Sequence, residues 1–95
     1  MIKVMIERRI AEGLERNYEN YVSEALQSIS SVPGYISGES LKNSGQPNHH
    51  IVISSWQSTH AWETWAKSEK RKYFKDQIMP LLIDEEKFTI LEPQH

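Results

Sequence analysis

The sequence lacks cysteine, is poor in glycine and proline, and contains no long apolar run. None of its 95 residues is cysteine, which excludes disulfides, thiolate nucleophiles and cysteine-based zinc or iron–sulfur sites. Glycine and proline number four each, too few for a linker. No apolar run approaches the ~20 residues that cross a bilayer. Residues 1–7 are too short and too alternating for a signal peptide, so we predict a cytoplasmic protein that does not bind membranes.

An excess of charge of one sign is also lacking. Lysine and arginine number 11 and aspartate and glutamate number 13, which leaves a net charge of −2 with neutral histidines. Because nucleic-acid binding favours a clearly basic face, we expect no nucleic-acid partner. The length predicts one domain over residues 1–95. Such a short chain buries only about 60–65% of its unfolded surface, and this favours association with a partner subunit.

The apolar patterns predict alternating strands and helices. Period-two and helical spacings, with turn residues between them, place the boundaries. The predicted elements are a strand over residues 2–10, a helix over Leu14–Ile29, strands over Tyr35–Leu41 and His50–Trp56, a helix that begins after Ser58 or Thr59, a helix that begins after Ser68, and a strand over Lys87–Leu91. This β-α-β-β-α-(α)-β order predicts an α+β, ferredoxin-like fold, in which a four-stranded antiparallel sheet carries helices on one face.

The third predicted strand is apolar on both sides, which indicates that neither sheet face is fully solvated. Ile51 and Ile53 lie on one side, and Val52 and Trp56 lie on the other. A sheet face that contacts water shows clean alternation of apolar and polar residues. We therefore expect the face without helices to pack against a second copy of the chain, as a homodimer.

Arg8 interrupts the apolar side of the first predicted strand. Ile2, Val4, Ile6 and Ile10 share that side at period two. The preferred interpretation is that Arg8 lies near a strand end and reaches solvent. The alternative is a cation that points into a cavity.

No familiar catalytic motif is present, and no metal site is expected. The sequence contains no GxGxxG, P-loop, GxSxG or HExxH motif. His49 and His50 are adjacent in a predicted strand, so they point to opposite faces and cannot easily hold one metal ion. The basic run of Lys67, Lys70, Arg71, Lys72 and Lys75 is interpreted as a solvated helix face, with attraction of an anionic ligand as the alternative.

Aromatic residues are the strongest candidates for a binding site. Trp56, Trp62 and Trp65 lie within ten residues. We assign Trp56 to the core and consider Trp65 as a wall of a cavity for a flat aromatic ligand. Trp62, Tyr18, Tyr21, Tyr73 and Phe74 are candidates for the same cavity, although a tyrosine is more often a core residue with its hydroxyl at the surface.

Four segments together resemble a known family. They are the alternating strand Ile2–Ile10, the turn Val32-Pro33-Gly34-Tyr35, the run Ile51–Trp56 that leads into Ser58-Thr59, and Trp62–Ser68. Over residues 1 to about 92 the sequence resembles the antibiotic biosynthesis monooxygenase domain family. The resemblance implies a dimeric α+β barrel built from two ferredoxin-like protomers.

The resemblance implies several activities. Members of the family include cofactor-free oxygenases, haem-degrading enzymes, isomerases of small signalling molecules and proteins without known activity, and the fold cannot choose among them. Trp65 matches the tryptophan of the haem-degrading members. Arg8 stands where those members have asparagine, and Lys75 stands where they have the histidine that binds haem iron. Because a protonated lysine is a poor axial ligand, haem is disfavoured.

A cofactor-free monooxygenase that acts on a small phenol or quinol is the function that the resemblance favours. Such an enzyme binds an electron-rich ring, stabilises its oxyanion and excludes water. Trp65, Tyr73 and Arg8 are the expected catalytic residues, as aromatic wall, hydroxyl donor and cation. Tyr18, Tyr21, Trp62 and Phe74 are the expected substrate-binding residues. The alternatives are a haem-binding or haem-degrading protein and a non-catalytic dimer that binds a small aromatic or hydrophobic molecule.

Overall fold

The structure, a computed structural model, describes residues 1–94. The last residue of the predicted domain, His95, lies outside the described residues. The elements are β1 (Ile2–Arg9), α1 (Glu15–Ile29), β2 (Tyr35–Lys42), β3 (His49–Trp56), α2 (Thr59–Ala66), α3 (Glu69–Ile78), a short 3₁₀ turn (Met79–Leu81) and β4 (Lys87–Leu91). Their order confirms the predicted α+β, ferredoxin-like arrangement, with strand and helix boundaries that differ from the predictions by at most one residue.

The four strands form one antiparallel sheet in the order β2-β3-β1-β4. The register places Ile6 of β1 between Val52 of β3 and Phe88 of β4. The first strand therefore lies inside the sheet, although it is first in the chain, and the last strand forms one edge.

The core lies between the helices and the side of the sheet that carries the even-numbered residues of β1. Trp56 is fully buried there, as predicted, and its indole N–H donates to Ser54 Oγ at 2.9 Å. The rings of Tyr35 and Trp62 pack edge-on against Trp56, with centroids at 5.4 Å and 5.6 Å. The buried hydroxyl of Ser54 thus supplies the partner that a buried indole nitrogen needs.

Two serines set the starts of helices α2 and α3. Ser58 Oγ accepts a hydrogen bond from the Ala61 N–H at 3.1 Å, and Ser68 Oγ accepts one from the Arg71 N–H at 3.1 Å. These bonds satisfy amide groups that have no partner within the first turn of a helix. Ser58 rather than Thr59 is therefore the cap of α2.

The sheet face without helices is apolar at its centre and is named the bare face. Its central apolar side chains come from the two inner strands, where Met5 lies opposite Ile53, and Ile51 lies further along β3. Leu41 and Leu91, on the two outer strands, are 43% and 41% exposed. Residues 1–94 supply nothing that covers this face.

Edge strand β4 is only partly covered by the helices. Phe88 and Ile90 point to the helix side, as the register with Ile6 and Val4 requires, but they are 45% and 43% exposed. The reason is that the helices do not reach fully across the edge strand, and an open groove remains beside it.

None of the helices within residues 1–94 combines the length and the apolar character needed to cross a membrane.

Candidate functional site

A small cavity lies between the three helices and the helix-facing side of the sheet. Its volume is about 50 Å³. Most of the lining is aliphatic or aromatic, and two guanidinium groups interrupt it. The aromatic and charged lining residues are Tyr21, Trp62, Trp65, Phe74, Arg8 and Arg71.

Arg8 lies inside the protein and does not reach solvent. Its even position in β1 turns it toward the helices, and it is 6% exposed. Nε donates to Glu86 Oε2 at 2.6 Å, and Nη1 donates to the Tyr18 hydroxyl at 3.2 Å. The guanidinium also lies against the rings of Tyr18 and Tyr21, 5.7 Å and 5.4 Å from their centroids. The preferred interpretation from the sequence was therefore wrong, and the alternative, a cation at a cavity, is correct.

Glu86 joins Arg8 to Arg71, and these three residues are named the arginine cluster. Glu86 comes directly before β4, and its side chain is 4% exposed. Oε2 accepts from Arg8, and Oε1 accepts from Arg71 Nη2 at 3.0 Å. Burial by itself raises the pKa of Glu86, but the two guanidinium groups lower it more, so that its pKa lies below the ordinary value. The carboxylate is therefore ionised at neutral pH.

Arg71 was predicted to lie on a solvated helix face, and this was wrong. It is 7% exposed and belongs with Phe74 and Ile78 to the buried stripe of α3. Its four neighbours in the basic run, Lys67, Lys70, Lys72 and Lys75, are exposed, as expected. Phe74 follows Arg71 by three residues, and Ile78 follows Phe74 by four, which is the spacing of one side of a helix. This spacing is the signal that could have separated Arg71 from the lysines.

The structure brings five of the seven predicted site residues to the cavity: Arg8, Tyr21, Trp62, Trp65 and Phe74. Trp62 and Trp65 are both buried, and they lie three residues apart on α2, so that they share one side of the helix. Tyr21 approaches from α1, and its ring contacts Phe74 of α3 edge-on at 6.1 Å. The aromatic walls thus come from all three helices.

Tyr73 and Tyr18 do not line the cavity. Tyr73 is 55% exposed, because it precedes the buried Phe74 by one residue and so points about 100° away from it around α3. It borders a separate surface depression with Asn17 and Gln77. Tyr18 is buried behind Arg8 and holds the guanidinium through its hydroxyl. The tyrosine that borders the cavity is therefore Tyr21, and Tyr73, the expected hydroxyl donor, lies outside it.

An open groove of about 570 Å³ lies next to the cavity, between the edge strand β4 and helices α2 and α3. It shares Trp62 and Arg71 with the cavity, so these two residues lie where the spaces adjoin. Phe88 and Ile90 form its apolar side, and the rim carries Lys67, Lys72 and Lys75 with Glu69. The groove is large enough for an aromatic ring, whereas the cavity is not, since a cavity that takes up benzene measures about 150 Å³.

The two adjacent histidines face opposite sides of the sheet, as predicted. On the bare face, His49 Nε2 contacts Glu7 Oε1 at 3.3 Å, and the His49 Nδ1 accepts from Asn43 Nδ2 at 3.0 Å. His50 is buried beside Tyr18, with ring centroids at 4.8 Å. Burial lowers the pKa of His50, so it is neutral at pH 7. Within residues 1–94, no three histidine, aspartate or glutamate side chains are grouped to hold a metal ion.

A sequence model of the antibiotic biosynthesis monooxygenase family matches residues 1–77. The chain belongs to this family. The matched residues include Arg8, both cavity tryptophans and Arg71, whereas Glu86 lies beyond them. No curated protein matches the chain.

Solved structures share the fold of this family member at low sequence identity. A variant of SnoaB from Streptomyces nogalater, named a cofactor-independent oxygenase, aligns with a TM-score of 0.84 at 12% identity, over 99% of this chain and 94% of that one. A conserved protein from Methanosarcina mazei aligns with a TM-score of 0.90 at 13% identity, over 98% and 92% of the two chains. An antibiotic biosynthesis monooxygenase aligns with a TM-score of 0.87 at 14% identity, over 98% of both chains. These similarities establish the fold.

Proposed function

We propose that this member of the antibiotic biosynthesis monooxygenase family oxidises a small electron-rich phenol or quinol with molecular oxygen, without metal, flavin or haem. The observation that carries the proposal is the aromatic-walled cavity with a buried guanidinium, Arg8, held in place by Glu86. SnoaB, which has a similar fold, is named a cofactor-independent oxygenase, and this supports the same reaction class here.

The chemistry requires a bound phenolate. Its electron-rich ring passes an electron to oxygen, one oxygen atom enters the ring in place of hydrogen, and the other leaves as water, so that a phenol becomes a quinone. The guanidinium of Arg8 stabilises the oxyanion in a site of low dielectric constant. Trp65 and Phe74 hold the ring and exclude water. Burial raises the pKa of Tyr21 more than the nearby arginines lower it, so its hydroxyl stays protonated and can donate a hydrogen bond.

The reacting ring enters from the groove, because the cavity of about 50 Å³ is too small to hold it entirely. Trp62 borders both spaces. We place the ring at this junction, with its oxygen toward the arginine cluster and its substituents in the groove.

Oxygen uptake with a panel of phenols and quinols tests the proposed reaction. The wild-type protein is expected to consume oxygen faster than the substrate's own autoxidation. Arg8→Lys is expected to lower kcat by about 100-fold, since the loss of one group that stabilises an oxyanion has effects of this size. Trp65→Phe is also expected to lower kcat, because the smaller ring holds the substrate less well and admits water. Lys70→Gln, an exposed change on α3 away from the cavity, should keep the wild-type rate. Equal rates for all four proteins would exclude Trp65 and Arg8 as catalytic residues.

Haem chemistry is the less favoured alternative. Helix α3 contains no histidine, and Lys75, at the position that the resemblance assigns to the axial ligand, is exposed. A haemin titration of the same preparation should therefore show no saturable Soret band. Binding of a phenol without oxygen uptake would favour the other alternative, a non-catalytic protein that binds small aromatic molecules.

The cytoplasmic location and the absence of nucleic-acid and membrane partners stay predictions.

We also propose that the protein is a homodimer that packs through the bare face. Ile53 lies on an inner strand at the centre of that face, between Met5 and Glu39. Ile53→Glu buries a charge in such an interface, so we expect sedimentation at micromolar concentration to shift from dimer to monomer. Thr64→Glu, on the exposed side of α2, should leave the dimer intact. A wild-type protein that sediments as a monomer would contradict the proposal.

A further inference from the structure

The arginine cluster carries more positive than negative charge. Both guanidinium groups are buried, and within residues 1–94 Glu86 is the carboxylate within 4.0 Å of either one. Arginine stays protonated in proteins, so two cations share one anion. The tyrosine that borders the cavity adds no negative charge, since the pKa of Tyr21 is raised. A buried excess charge is unfavourable unless a further anion compensates it.

The unused donor of the cluster is on Arg71. Nη2 of Arg71 donates to Glu86, whereas Nη1 is buried and has no hydrogen-bond partner within the described residues. A buried charged donor without an acceptor is strongly unfavourable. The side chain of Arg71 lies where the cavity and the groove adjoin, so a ligand in the groove reaches this donor once it displaces the ring of Phe88.

We infer that Arg71 binds the charged oxygen of an anionic aromatic molecule, a carboxylate or a phenolate, whose ring lies where the groove adjoins the cavity. The inference deepens the proposed function and rests on it for the assignment of this site to the substrate. Arg8 keeps the cluster in place through its hydrogen bonds to Glu86 and Tyr18 and stabilises the oxyanion by its charge, while Arg71 Nη1 binds the charged oxygen and selects the ionised form of the ligand.

The groove has the surroundings that such a ligand needs. The ring of Phe88 lies 5.5 Å from Arg71 Cζ and is 45% exposed on the edge strand. It covers the guanidinium and is free to move toward solvent when a ligand ring replaces it. Trp62, whose ring centroid is 6.0 Å from that of Phe88, provides the second aromatic surface. Lysines at the rim attract an anion from solution.

Calorimetric titration with two probes of the same shape, 2-naphthoate and the neutral 2-naphthamide, tests the inference. Wild-type protein is expected to bind the naphthoate about 10-fold to 100-fold more tightly than the amide, the range of a hydrogen bond to a charged group. Arg71→Gln should remove this preference, and Lys70→Gln, which removes one exposed charge from the same helix, should retain it. Equal affinities of the wild-type protein for the two probes would overturn the inference.

A second measurement needs only the wild-type protein and therefore does not depend on the folding of a variant. The visible absorbance of 4-nitrophenolate reports ionisation, and the bound phenol is expected to ionise at lower pH than the free phenol. An unchanged or raised pKa of the bound phenol would count against Arg71 as an anion site. Because 2-naphthoate is not a substrate, its binding tests the anion site separately from the reaction. If the protein prefers the naphthoate but consumes no oxygen with the phenols and quinols, only the proposed oxygenase is refuted. Oxygen uptake without that preference refutes only the anion site.

Discussion

Glu86→Gln is expected to lower the free energy of unfolding by about 3–5 kcal/mol, as is typical when one partner of a buried ion pair is removed. The substitution keeps the size and shape of the side chain but leaves Arg8 and Arg71 buried without a counter-ion. Domains of this size have unfolding free energies of about 5–15 kcal/mol. The change therefore removes a large part of the total stability, although it lies in a short loop before β4.

Urea denaturation of both proteins measures this effect. Glu85→Gln is the matched control, because Glu85 is the exposed neighbour of Glu86 and the same charge is removed. It should change stability by less than about 0.5 kcal/mol. If the two variants lose equal stability, Glu86 does not compensate buried cations and the arginine cluster is not a stabilising unit.

The same carboxylate makes stability fall in acid. The folded pKa of Glu86 lies below its ordinary value, because the two arginines outweigh the effect of burial. Its contribution to stability is therefore present above the unfolded pKa, about 4.3, and is lost as the pH falls through the folded pKa. The difference in unfolding free energy between wild type and Glu86→Gln should be full at pH 7 and should narrow below about pH 4.

Gly34→Ala is expected to destabilise the protein by about 2–5 kcal/mol. Gly34 precedes β2 with φ +87°, a left-handed conformation that an alanine adopts at about 1–2 kcal/mol. A Cβ at this position would also overlap the Ala61 Cβ, and such overpacking adds about 1–3 kcal/mol. Position 34 thus requires glycine for two independent reasons, its left-handed backbone conformation and its close approach to α2.

Gly13 provides a control that separates the two reasons. It has φ +86°, but nothing lies within 4 Å of the Cβ that alanine would add. Thermal unfolding of Gly13→Ala should therefore show the conformational effect alone, about 1–2 kcal/mol. In the double variant Gly34→Ala/Ala61→Gly the steric part should disappear, so the two changes should be less destabilising together than their sum. Equal losses for Gly13→Ala and Gly34→Ala would show that α2 moves aside.

The strand and helix pattern was predictable from the sequence because it depends on local periodicity. Ile2, Val4 and Ile6 recur at every second position, with the charged Lys3 and Glu7 on the other side, and this pattern orients β1. The assignment of Trp56 to the core was also correct, since a tryptophan at the end of a strand that is apolar on both sides has few other places to pack.

The polar part of the site was not predictable in the same way. Arg8 was noticed as an interruption, but its partner lies 78 residues away, and no local pattern distinguishes Glu86 from its acidic neighbours Asp84 and Glu85. Arg71 was hidden among exposed lysines of the same charge. Tyr73 was chosen for its hydroxyl, but its position on α3 turns it to solvent. Polar side chains are placed by tertiary contacts, and a single sequence gives no direct record of those.

The contact between the first and last strands has a consequence for the order in which the protein can fold during synthesis. Arg8 and β1 leave the ribosome before their partners, because β1 pairs with β4, and Glu86 directly precedes that strand. Until Glu86 and β4 have emerged, β1 has one open edge that can pair with other chains, and two cations have no partner. We expect nascent chains that end before residue 86 to remain unfolded or to aggregate, so the site and the sheet become complete in the same late step.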